Sequence, residues 1–166
     1  MNIQETPYCN VSERVAVLGL ELPTKLALLP RHFDDAGSKG ELFNESSAVT
    51  VRKLWKQAGL ELTPLEKPGE NLPEIHENDF KLIMPVIFIG YSLWSENPTA
   101  VALALNVASN YITDFFKGFS GGKKLELDIV VEKTAKKDYR RLSYKGNPEG
   151  LPHLPELVEK MMKDGH

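Results

Sequence analysis

The chain has 166 residues, 42% of them hydrophobic and 26% charged. That is long enough to bury a substantial core and too apolar for global disorder. Its single cysteine, Cys9, excludes an internal disulfide and a multi-cysteine metal site and fits a reducing cytoplasm. The net charge of −3 is unevenly spread: residues 1–98 carry 9 Lys and Arg against 14 Asp and Glu, and residues 117–145 carry 9 against 4, a dipolar layout that bears on association.

The opening residues, 1–12, are polar and are expected to be loosely held. They have neither a basic region nor an apolar core, so no secretory leader is expected. Arg14–Leu22 and Lys25–Leu29 are short apolar runs separated by Pro23, and both are assigned as strands. Arg31–Phe43 follows as a loop with Asp34, Asp35, Gly37 and Gly40. Apolar residues at 48, 51, 54, 55 and 58 keep helical spacing and Gly59 is placed to stop the helix, so 48–59 is the clearest amphipathic helix. Leu60–Leu65 suits a short strand, and 66–79, with Pro68, Gly69 and Pro73, a surface loop or lid.

The run Leu82–Ile89 is apolar at every position, as expected of a strand buried on both faces. Gly90 ends it, a loop covers Tyr91–Glu96, and Asn97-Pro98 supplies a cap and a first-turn proline for a long helix reaching Gly118. That helix is shorter than a typical membrane span and holds Asn106, Ser109, Asn110, Thr113 and Asp114, so no membrane role is expected. Alternation of Leu125, Leu127, Ile129 and Val131 with more polar residues, then a return over Tyr139–Lys145, predicts a hairpin over 124–145. A last helix is expected over 154–163. Together these elements predict a single compact α/β or α+β domain, a mixed sheet of about five or six strands with about three helices.

Three places attract functional readings. The first is residues 90–98, past the C-terminal end of the buried strand, where α/β proteins place ligands and a helix start favours an anion. Its candidates are Tyr91, Ser92, Trp94, Ser95 and Asn97, assisted by Arg31 and His32. The resemblance of this stretch to a nucleophile elbow fails because Trp94 stands where the second glycine is required. The second is a stripe of Thr99, Asn106, Asn110 and Thr113 on the long helix, hydroxyl and amide where a solvated face usually carries charge, which suits a packed interface. The third is the hairpin, where Lys136, Lys137, Arg140 and Arg141 interleave with Tyr139 and Tyr144 as in nucleic-acid binding. An ordinary charged edge hairpin explains those residues equally well, and the pI of 5.8 opposes nucleic acid.

Gly118–Lys124 lacks the spacing and the following helix of a phosphate loop. His32, His76, His153 and His166 have no partner at ligand spacing, so neither metal nor cofactor is expected. Every catalytic template therefore fails on spacing or context. The expected function is a non-catalytic cytoplasmic binding or assembly subunit with a protein partner or self-association. The alternatives are a small-molecule or anion sensor or enzyme at 90–98, and nucleic-acid binding through 133–145.

Overall fold

Two alternating strands decide the architecture. In the computed structural model, which describes residues 2–67, 72–75, 81–118, 124–134 and 138–163, Lys124–Thr134 (β7) and Asp138–Gly146 (β8) pair as an antiparallel hairpin with a bulge between Glu132 and Thr134. Leu125, Leu127, Ile129 and Val131 of β7 and Leu142 and Tyr144 of β8 point to one face, into the larger core. The period-2 alternation sends Glu126, Asp128, Arg141, Ser143 and Lys145 to the other face.

Around the hairpin the sheet is mixed, as the composition of the elements predicts. Asn2–Pro7 (β1) runs antiparallel along β8, giving the polar N-terminus a place at the sheet edge. Val86–Ile89 (β6) lies parallel to β7 on its other side, and Leu26–Leu29 (β2) runs antiparallel to β6. Lys81–Ile83 (β5) also pairs parallel with β7. The order is β1-β8-β7-β6-β2, with β5 completing six strands. The apolar run from Leu82 is thus two strands rather than one. Pro85 has no N–H to donate to the ladder, so pairing stops at Met84-Pro85. Asn44–Glu45 (β3) and Glu74–Ile75 (β4) form a separate two-stranded parallel ladder.

The helices Ser46–Gln57 (α2), Pro98–Phe115 (α4) and Leu154–Lys163 (α5) cover the larger core. Asn97 caps α4 through a bond from the Ala100 N–H to its Oδ1, at 3.2 Å. Among the described residues five α-helices form, where about three were expected. The first extra one, Val11–Leu18 (α1), lies where a strand was expected. Asn10 accepts from the Glu13 N–H, and Gly19 ends the helix with φ 69°, a conformation that glycine adopts without strain. The second, Tyr91–Glu96 (α3), replaces the expected loop. Residues 60–65 form no strand, although Thr63 donates to Leu26 and Glu21 to Leu65 along the β2 edge. At Gly90 the chains approach so closely that a methyl group would lie 2.0 Å from the Thr24 carbonyl oxygen.

Among the described residues the second face is covered only in part. Val11, Val15 and Leu18 of α1, with Phe33, Ala36, Leu42 and Leu65, pack on Ala27, Leu29, Val86, Phe88, Val130 and Tyr139. Among the described residues this smaller core reaches the β2 side and one end of the hairpin and goes no further. Beyond it, the sheet face is polar. Among the described residues no helix is long and apolar enough to cross a membrane.

A candidate polar cleft on the open sheet face

Register places the polar residues of three strands in rows. Gln4 of β1 faces Ser143 of β8, which faces Asp128 of β7, a line of three side chains spaced at roughly 4.8 Å between strands. In the next row Thr6 faces Arg141, and on the other side Lys145 faces Glu126. Arg31 comes over this lattice from the turn that follows β2. Together Gln4, Arg31, Asp128, Arg141, Ser143 and Lys145 line a cleft of about 390 Å³.

Arg31 is placed by several contacts. Its turn is anchored by buried Phe33 and by Arg14 of α1, whose guanidinium donates to the Phe33 carbonyl at 2.9 and 3.2 Å and also to Ala36. The Arg31 N–H donates to Glu45 Oε1 at 2.9 Å. Its guanidinium donates to the Met84 carbonyl, at the break between β5 and β6, and to Asp128 Oδ2 at 3.1 Å, with Glu126 Oε2 at 3.7 Å. The proline that interrupts the sheet thus stands beside a carbonyl that holds this arginine. Arg141 donates to Thr6 Oγ1, lies 3.8 Å from Asp34 and sits 5.7 Å from the centre of the Tyr8 ring, within cation–π range. Lys145 is exposed and makes no ion pair among the described residues.

Of the described residues that line the cleft, Asp128 is the acid, with Glu126 beside it on the same face. It is only 6% exposed, and its Oδ1 is buried with no hydrogen-bond donor among the described residues. Glu45, behind Arg31, is likewise buried. Burial pushes its carboxyl above the usual carboxylate range, against the opposing pull of the Arg31 N–H and the nearby Arg31 and His32. A raised folded-state pKa means the folded protein holds this proton more firmly than the unfolded chain does. Stability from this group therefore falls as pH rises through the window between the ordinary carboxylate range and its own, and the full penalty applies above it. Glu45→Gln keeps an acceptor for Arg31 without the charge. The variant's stability relative to wild type, measured as the urea midpoint, is expected to be greatest at neutral pH and to shrink on acidification. A difference independent of pH would refute it.

The sequence candidates separate in space. Arg31 joins the cleft, whereas His32 turns away, its Nε2 bonded to the Glu41 carbonyl at 2.7 Å and its ring stacked on Phe43. The polar groups at 90–98 hold α3 in place: the Tyr91 N–H donates to Glu132 Oε1, Ser92 to the Thr24 carbonyl and Trp94 Nε1 to the Glu132 carbonyl. Ser92 and Asn97 line a different groove of about 380 Å³, and Trp94 and Ser95 a third beside α5. Thr99, Asn106, Asn110 and Thr113 all lie on the exposed side of α4. On the hairpin, Arg141 enters the cleft and Arg140 pairs with Glu5 at 3.4 Å. Tyr139 and Tyr144 are 4% and 1% exposed, so their rings lie in the cores rather than on a surface where a base stacks. Lys136 and Lys137, most of the stretch 66–79 expected as a loop, and residues 119–123 lie outside the described residues.

Gln4, Asp128, Ser143 and Lys145 were absent from the sequence-based candidates for ligand binding. The signal available for three of them was strand alternation: if Leu127, Ile129, Leu142 and Tyr144 face a core, Asp128, Ser143 and Lys145 face away from it. Cys9 offers no reactive thiol at neutral pH, because burial and then Asp34 push it up to about 11. Among the described residues no group of three or more His, Cys, Asp or Glu side chains is arranged to hold a metal ion.

Fold and site together define a mixed α/β protein with a polar, cation-flanked cleft on the open part of its sheet. No family model matches the chain, and no curated protein or solved structure matches it either.

Proposed function

We propose that this protein is a binding protein for a small anionic molecule, held in the cleft on the polar sheet face. The observation that carries this reading is the convergence of Arg31 with Arg141 and Lys145, from parts of the chain more than a hundred residues apart, around Ser143 and Gln4. Arginine forks and a lysine point charge are the usual partners of phosphate and carboxylate. The cleft's volume lies near the lower end of the roughly 300–1,000 Å³ range of small-molecule sites, and its polar lining suits a hydrophilic ligand. Tested with pyrophosphate, the melting temperature is expected to rise by roughly 5–10 °C at about a hundred times the dissociation constant. Lys145→Glu should remove most of that rise, since it reverses an exposed charge without disturbing packing. Identical shifts in both proteins, or none in either, would refute the reading.

A second reading, assembly, is favoured by the exposed face of α4. Leu103 is 40% exposed there, between Thr99 and Asn106 and in line with Asn110 and Thr113, a stripe of apolar, hydroxyl and amide side chains bordered by Asp114 and ending at Lys117. Light scattering should then give a mass above one chain, reduced to one chain by Asn106→Arg with Asn110→Arg.

A further inference from the structure

Resting on the anion-binding reading, we infer that the ligand is a small phosphate monoester carrying at least one free hydroxyl, with the hydroxyl directed to Asp128 and the phosphate to Arg141 and Lys145. Charge alone does not select an anion here. Arg31 is held by Asp128 and Glu126, and Arg141 by Asp34, so the cleft presents acceptors as well as donors. Asp128 gives that mixture a direction. Its Oδ2 accepts from Arg31 while Oδ1, on a residue only 6% exposed, is buried with no donor among the described residues.

A buried carboxylate oxygen without a donor is costly, and a ligand O–H that reaches it recovers a charge-assisted bond. A bare anion in that position would meet like charge. The floor row extends the same preference, because the Ser143 hydroxyl and the Gln4 amide both donate and accept, which suits a second hydroxyl. Arg141 and Lys145 stand on either side of Ser143 along β8, each two residues away and so roughly 7 Å along the strand. They can both lean over a phosphate above Ser143 while the rest of the molecule lies toward Asp128. The Tyr139 and Tyr144 rings are buried, so this part of the hairpin gives them no base-stacking role, and a small ester fits better than an RNA strand.

Glycerol 3-phosphate and n-propyl phosphate make a matched pair: the charge and chain length are the same, and only the first carries hydroxyls. Titration calorimetry on the intact protein is expected to show the glycerol ester binding about 10- to 100-fold more tightly, the range for a hydrogen bond to a charged group. Asp128→Asn, nearly isosteric, should narrow the gap to about threefold or less. Equal binding of the two esters by the wild type overturns the hydroxyl inference and leaves the anion site standing. Failure of both to bind, with pyrophosphate also inert, overturns the two together. An oligouridylate binding more tightly than the glycerol ester would overturn the assignment to a small molecule.

Discussion

Arg31→Met is expected to lower the stability of the folded protein by about 3 kcal/mol, near the low end of the range for breaking a buried ion pair. The low end is appropriate because the Arg31 side chain is 19% exposed and that of Asp128 9%, so some water already reaches the pair. The loss comes less from the missing attraction than from the carboxylate left behind. Asp128 Oδ2 would lose the Arg31 guanidinium, Oδ1 already has no donor among the described residues, and Glu126 stays close by. In a chain of this size that corresponds to a fall in melting temperature of roughly 6–12 °C.

The companion test separates stability from function. Replacing both partners of a buried ion pair by apolar residues of similar volume is often neutral or stabilising. Arg31→Met with Asp128→Leu should therefore recover most of the stability lost in the single variant and still bind no pyrophosphate. That outcome would mean the pair is kept for the cleft rather than for the fold. If Arg31→Met cost less than about 1 kcal/mol, the value of an exposed pair, the cleft would be too wet to hold Arg31 in place, and the proposal would lose its main support.

How far the chain can be read without its structure differs from element to element. Helix α4 was legible because Asn97-Pro98 marks its start and Val101, Leu105, Ala108 and Ile112 keep one face apolar. The hairpin was legible from alternation alone. Helix α1 was not: its apolar residues Val11, Val15 and Leu18 are mixed with Val17 and Leu20, and only the flanking Asn10 and Gly19 betray a helix. The break at Pro85 and the helix at 91–96 show a different limit. Local signals gave the apolar run and the polar stretch; the missing N–H of Pro85 divides the first into two strands, while tertiary bonds to Glu132 and Thr24 hold the second as a helix.

For the cleft the limit is register. Arg31 and Arg141 were both singled out, one as a ligand residue and one as a nucleic-acid residue, because nothing local says that the turn after β2 carries Arg31 across to Asp128 of β7, beside β8. Gln4, Ser143 and Asp128 form one row only once β1, β8 and β7 are aligned to the residue. A shift of one position would send all three into the opposite core. The aromatic residues of the hairpin show the same dependence, since burial of Tyr144 follows from its facing Leu127 and Ile3.

The largest loss of stability is expected from Trp55→Ala, about 3–5 kcal/mol by the usual cost of emptying a buried aromatic site. Trp55 is fully buried in the larger core, and its Nε1 donates to the Ala104 carbonyl at 3.0 Å, fastening α2 to α4. Ala104 is interior to α4, so its carbonyl keeps the helix's own donor, and the lost indole bond accounts for only about 1 kcal/mol of the total. Trp55→Phe keeps most of the volume and should cost about 1–2 kcal/mol, the lost indole bond plus a small cavity. The chain has two tryptophans, so in either variant Trp94 alone reports urea unfolding by fluorescence from α3. A cost below about 1 kcal/mol for Trp55→Ala would mean that α2 is not docked on α4 as described. The same helix begins beside the site: Glu45 precedes it and holds the Arg31 N–H, and Ser47 bonds the Ile83 carbonyl. Those bonds fix the N-terminal end of α2 independently of Trp55 near its other end. Trp55→Phe should therefore lower stability while leaving pyrophosphate affinity within about twofold, because distant sites without shared partners act additively.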